Sequence, residues 1–262
     1  WQLPEGIDEL TGNQANASGD NSVAVGSTAI AQLQSTAVGV RANASGATST
    51  SLGFKSSASG ANSISAGDSA KAASTGSAAF GYGATAQGIN SLSLGANSSA
   101  LGLSSQAVGD LSLATGSRSI AIGSGSRSGL SEDVEIPQDP AVDEDGIPLP
   151  SLFQSKSTSN TIAIGYQATA GSFDDEEQEA IGNASIAIGT ASQALADGSI
   201  ALGLSANASQ LGSTAIGAFA LSTGVYSSAF GRDSLASARN STALGRLSKA
   251  KGNYSSAVGS QA

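Results

Sequence analysis

Ser199-Ile200-Ala201-Leu202-Gly203-Leu204-Ser205-Ala206-Asn207-Ala208 carries the pattern from which most of the chain is built. A small residue, a larger apolar residue and a glycine close its first half, and Ala206 and Ala208 follow three and five residues after the glycine. Alternation over about five residues argues for strand rather than helix. The same arrangement returns at Gly26, Gly39, Gly53, Gly67, Gly81, Gly95, Gly109 and Gly123. It is found again at Gly165, Gly189, Gly217, Gly231, Gly245 and Gly259, and Leu10-Thr11-Gly12 reads as a worn first copy. The step is 14 residues, apart from one of 13 and two long ones. A Gly/Ser-rich linker has no reason to hold such a register, whereas a solenoid requires it.

Each repeat is expected to hold two short strands and two tight turns, with glycine supplying a turn because it tolerates positive φ. Coils stacked in parallel rise by one strand spacing, so about sixteen would form a rod roughly 75 Å long. The two strands differ. After the glycine, Lys71, Thr85, Arg127 and Lys249 share one slot, so one face of that strand is wet. Before the glycine both faces are restricted: Ala or Ser on one, and Val25, Leu52, Phe80, Ile122, Ile188 or Leu244 on the other. A strand restricted on both faces is usually buried on both. Either the larger residues fill the coil's own interior, or they pack against another subunit.

Composition narrows the function. Aromatic residues make up 4% and charged residues 12%. The net charge of -9 and pI of about 4.3 lack the basic footprint of a nucleic-acid binder. With no Cys and no His, the commonest metal ligands and the usual general base at neutral pH are missing. No phosphate-loop motif occurs, and Gly81-Tyr82-Gly83 is a repeat glycine with a permissive turn behind it. Asp68 and Asp110 follow repeat glycines in isolation, unlike the aspartate ladder of a calcium-binding β-roll. The slot three before the glycine reads Val23, Thr36, Thr50, Ile64, Ala78, which is no ice-binding threonine ladder. Neither catalysis nor a cofactor nor a resident metal is expected.

The regularity breaks in two consecutive copies. The step from Gly123 to Gly165 holds about 28 extra residues and that from Gly165 to Gly189 about ten. The expected organisation is a cap and degenerate first repeat over 1–20, head repeats over 21–128, an insertion over 129–157, a repeat over 158–172, a second insertion over 173–183, and repeats over 184–262. The first insertion carries Glu132, Asp133, Glu135, Asp139, Asp143, Glu144 and Asp145; the second carries Asp174, Asp175, Glu176, Glu177 and Glu179. Asp145-Gly146 suits a hairpin turn. Three readings stand: a loop surface selecting basic partners, a Ca²⁺ site without the usual ligand spacing, or a solvated acidic loop. Towards the other end, Arg232, Arg239, Arg246, Lys249 and Lys251 form a candidate basic stripe, open to an acidic ligand or to chance variation. Phe54, Tyr82, Tyr166, Phe219 and Tyr226 are candidate exposed contacts.

Asn21-Ser22-Val23-Ala24-Val25-Gly26, Asn160-Thr161-Ile162-Ala163-Ile164-Gly165 and Ser185-Ile186-Ala187-Ile188-Gly189 resemble the head repeat of YadA-like trimeric autotransporter adhesins. The resemblance implies an all-β, left-handed parallel β-roll in a homotrimer, projected from the outer membrane at the bacterial cell surface. It implies attachment to host extracellular-matrix protein, cells or other surfaces, with no nucleic-acid partner. A membrane anchor, coiled-coil stalk and neck are expected beyond Ala262, and the start at Trp1 reads as that of an excised fragment. A spacer or self-association rod, and a trimeric phage-type fibre segment, are the alternatives.

Overall fold

The computed structural model describes residues 14–129, 160–174, 179–181 and 183–262. It is all-β and built as a parallel β-solenoid, with no helix among the described residues. The chain forms two compact units, Trp1–Asn97 and Ser98–Ala262. Each unit holds two ladders of parallel strands. A leading ladder contains the three-residue strands that end just before the repeat glycines, and a trailing ladder the two-residue strands that follow them.

In the first unit the leading ladder runs from Val23–Val25 through Thr36–Val38, Thr50–Leu52, Ile64–Ala66 and Ala78–Phe80 to Leu92–Leu94. Its trailing ladder runs from Asn16–Ala17 to Thr85–Ala86. In the second unit the leading ladder runs from Gln106–Val108 to Ser256–Val258 and the trailing ladder from Ser99–Ala100 to Lys249–Ala250. Register follows the repeat, as in Ala78↔Leu92 and Ile200↔Thr214. The single 13-residue step is absorbed between strands, where Gln32-Leu33-Gln34 does the work of Ser45-Gly46-Ala47-Thr48 one coil later. The pairings Val23↔Thr36 and Ile30↔Asn43 are thereby kept.

The interior holds only small side chains. The middle residue of each leading strand points inward, and all but Ala24 and Ala257 in the end coils are fully buried, as Ala37, Ser51, Ala79, Ala121 and Ala201 are. From the trailing side Ala42 with Ala44, Ala84 with Ala86, and Ala206 with Ala208 meet it. Among the fully buried side chains none exceeds Thr161 in volume. Two sheets this close leave room for no side chain larger than the two atoms that threonine carries beyond Cβ. The larger apolar residues therefore lie outside, which rules out their filling the coil's own interior.

Serine fits this interior because its hydroxyl reaches a turn carbonyl three residues back. Ser119 Oγ donates to Gly116 O at 2.6 Å and Ser126 Oγ to Gly123 O at 2.8 Å. Both turns close through backbone bonds of the same span, as in Ala42 N to Gly39 O and Ser49 N to Gly46 O. Coils are joined by ladder bonds such as Gly203 N to Ile188 O at 2.8 Å.

The repeat glycine is required twice over. At Gly189 φ is +133°, a value essentially confined to glycine. A Cβ there would also sit 2.4 Å from the Gly203 carbonyl oxygen of the next coil.

Candidate interaction surfaces

Four surfaces surround the coil: the outer face of the leading ladder, the outer face of the trailing ladder, and the two turns. The leading face is set by the first and third residues of each leading strand. Those positions hold Val, Thr, Leu, Ile, Phe, Ala, Ser and one Gln, and no charged residue at any described coil. Several are well exposed for their type, including Leu52 at 40%, Ile188 at 40% and Leu244 at 48%. Volumes compensate along single strands. Phe80 shares its strand with Ala78, Phe230 with Ser228, and the small Ala66 with Ile64.

The trailing face is different in kind. Its outward residues include Asn43, Ser57, Lys71, Thr85, Leu113, Arg127, Gln193, Asn207 and Lys249. Burial lowers the pKa of Lys71 from the ordinary lysine value. Asn207 Nδ2 donates to Gln193 Oε1 at 3.0 Å across adjacent coils. Side chains of unlike size and charge follow one another here without disturbing the ladder.

The chain leaves the coil at equivalent points in two consecutive coils. Ser128 pairs with Ala170, and Gly129 N donates to Ala170 O at 2.9 Å. Gly171 N likewise donates to Ala194 O at 2.8 Å. After Gly171 the backbone forms an antiparallel hairpin, Ser172–Asp174 with Glu179–Ile181, that sets Asp174 opposite Glu179. Asp175, Glu176 and Glu177 lie outside the described residues, as do Glu132, Asp133, Glu135, Asp139, Asp143, Glu144, Asp145 and the worn first copy at Leu10-Thr11-Gly12. Among the described residues no group of three or more acidic side chains is placed to hold a metal ion.

The five cations of the candidate basic stripe fall on three surfaces. Arg232 and Arg246 each follow a repeat glycine and share one column in the first turn. Lys249 lies on the trailing strand, while Lys251 and Arg239 belong to the second turn. Arg232 Nε is 3.1 Å from Asp233 Oδ2.

The five candidate contact aromatics stand at the turns. Phe54, Tyr82 and Tyr166 follow repeat glycines, Phe219 lies one residue further on, and Tyr226 sits in the second turn. Lys55 Nζ lies 5.3 Å from the centre of the Phe54 ring. Sequence reasoning passed over Tyr254, which is 73% exposed. Its signal was its slot, which is that of Tyr226 two coils earlier.

Ten overlapping or adjacent stretches match the family described as the YadA head domain repeat (2 copies). They are residues 11–29, 33–56, 58–84, 86–112, 100–126, 180–206, 196–220, 208–234, 222–248 and 236–262. The crystal structure of the collagen-binding domain of the Yersinia adhesin YadA is similar at 19% sequence identity, covering 83% of this chain and 69% of that one, with a TM-score of 0.27. Among curated proteins none matches the sequence.

Proposed function

The chain belongs to the YadA head domain repeat family, and from that premise we propose that it is the adhesive head of a bacterial surface protein. The role is of adhesin type: attachment to host extracellular matrix, host cells or other surfaces, by a solenoid head projected from the outer membrane. The observation that carries the reading is the family match on both sides of the two insertions. The division between a constant coil interior and variable exposed turns suits it. Such a scaffold presents side chains in columns, and weak contacts repeated along it gain strength through avidity.

The active form is a homotrimer joined through the leading faces. A continuous apolar sheet face without charge is what an interface core requires, since charged residues are depleted there. Compensation between Phe80 and Ala78, and between Ala66 and Ile64, evens the volume of those coils, as packing against a like surface favours. Ile188→Glu should leave a folded chain that sediments as a monomer; a trimer with that substitution would remove the leading face from the interface.

The function is tested by binding of the purified trimer to immobilised collagen, fibronectin, laminin and host cells, with and without residues 129–157 and 173–183. Binding lost with the insertions assigns the contact to the loops. Binding retained without them assigns it to the coil surfaces. A trimer that binds none of these surfaces in either form would overturn adhesion in favour of a spacer.

A further inference from the structure

The charge of the chain reverses in its last coils. From residue 198 onward there are five cations, Arg232, Arg239, Arg246, Lys249 and Lys251, and one acid, Asp233, in a chain with 11 Lys+Arg and 20 Asp+Glu. All five cations are exposed, and none occupies the leading face. They girdle the remaining three sides of two consecutive coils.

The backbone fixes their spacing. Arg232 O accepts from Leu247 N at 2.9 Å and Arg246 O from Gln261 N at 2.8 Å, so both arginines occupy the same turn position. Their side chains start one strand spacing apart, about 4.8 Å. Lys249 projects from the adjoining trailing strand, where its neighbour Ala250 is buried. In the second turn Arg239 N donates to Asn253 Oδ1 at 3.2 Å, and Tyr254 N to Arg239 O at 2.9 Å. Tyr254 and Tyr226, 73% and 51% exposed, stand in one column with Asn240 between them in sequence order of the coils.

We propose that this girdle binds a sulfated polysaccharide. Sulfates recurring along an extended glycan answer cations recurring from coil to coil, and arginine pairs with such oxyanions through two donors. The exposed tyrosine rings offer flat apolar faces to pyranose rings, and the Asn240 and Asn253 amides offer hydrogen bonds to sugar hydroxyls. A nucleic acid is the poorer occupant, because it presents far fewer hydroxyls than a glycan to the Asn240 and Asn253 amides. The proposal rests on the adhesin reading, since such glycans are met outside the cell.

Retention on immobilised heparin and titration calorimetry with soluble heparin test it, using the full chain. We expect binding that falls with salt and weakens about tenfold in R232Q/R246Q, the scale of two exposed charge contacts. A similar loss is expected in R239Q/K251Q. Lys55→Gln, in the first unit, should leave the affinity unchanged. Y226S/Y254S should weaken heparin at high salt, where charge is screened, while far-UV circular dichroism stays as in the parent. Heparin binding equal in the parent and both charge variants would overturn the proposal. So would equal affinity for single-stranded DNA of matched charge, which reports a polyanion without sugar recognition. A protein that binds heparin but no matrix protein or cell keeps this site while the broader adhesin reading falls.

Discussion

Gly189→Ala and Gly198→Ala add the same methyl group to two turns of one stretch of chain, and they should differ several-fold in cost. Gly198 has φ +62°, and nothing lies within 4 Å of the place a Cβ would take. Alanine already occupies that conformation at Ala184 and Ala191, with φ of 55° and 54°. The left-handed penalty of about 1–2 kcal/mol is partly offset by about 0.4–1 kcal/mol of lost freedom in the unfolded chain, a net cost of about 1 kcal/mol. Gly189 has φ +133°, and its Cβ would meet Gly203 O at 2.4 Å and Gly203 C at 2.7 Å. Backbone strain there costs about 1–3 kcal/mol. Relieving the contact moves the coils apart by nearly 1 Å, beyond hydrogen-bond range for Gly203 N and Ile188 O, and each ladder bond lost costs about 1 kcal/mol. The sum is about 3–5 kcal/mol. Urea unfolding followed by far-UV circular dichroism reads both variants. In a quasi-one-dimensional fold Gly189→Ala should also lower the slope of the transition, because the ladder melts in parts. A loss in Gly189→Ala no larger than in Gly198→Ala would refute the close-approach argument.

Three further outcomes follow from the same structure. Ala201→Leu should unfold its coils or cost more than about 3 kcal/mol by calorimetry, because the interior accepts nothing larger than threonine. Ser119→Ala should cost about 1 kcal/mol by removing the bond to Gly116 O, whereas Ser105→Ala, whose buried hydroxyl has no partner among the described residues, should be neutral or stabilising in the same denaturation assay. Lys71 has a folded pKa below its unfolded value, so the unfolded chain binds more protons between the two. Stability should therefore rise with pH as the folded pKa is passed and level off above the unfolded value. Lys71→Met should flatten that rise in thermal melts across alkaline pH.

The period, the strand type and the inward Ala/Ser slots were legible because a 14-residue coil repeats every contact it makes. The location of the larger apolar residues was not. Alternation places Ala201 and Leu202 on opposite faces, yet it does not say which face is inside. The distance between the sheets decides that, and only small side chains fit. Positive φ was legible at Gly26 or Gly245 but not at Thr28, Leu247, Phe219 or Tyr254, where the coil's closure imposes the left-handed region on residues that do not prefer it. The pairing of Ser172–Asp174 with Glu179–Ile181 was hidden as well, because strands of three residues carry too little alternation to be read from sequence. For the candidate sites, the shared column of Arg232 and Arg246 could be counted from the repeat. The joining of Arg239 to Asn253 and Tyr254 required the second turn to be seen.

Ile120 pairs with Ile162 and Ile162 with Ile186, although the chain travels 42 residues between the first two and 24 between the second two. The ladder is indifferent to what is threaded out between its rungs, provided the strand returns one rung higher. Closing a longer loop grows costlier only as the logarithm of its length. The exit after the trailing strand is therefore a port, at which appendages can be exchanged, lengthened or grafted while the ladder that carries them keeps its register.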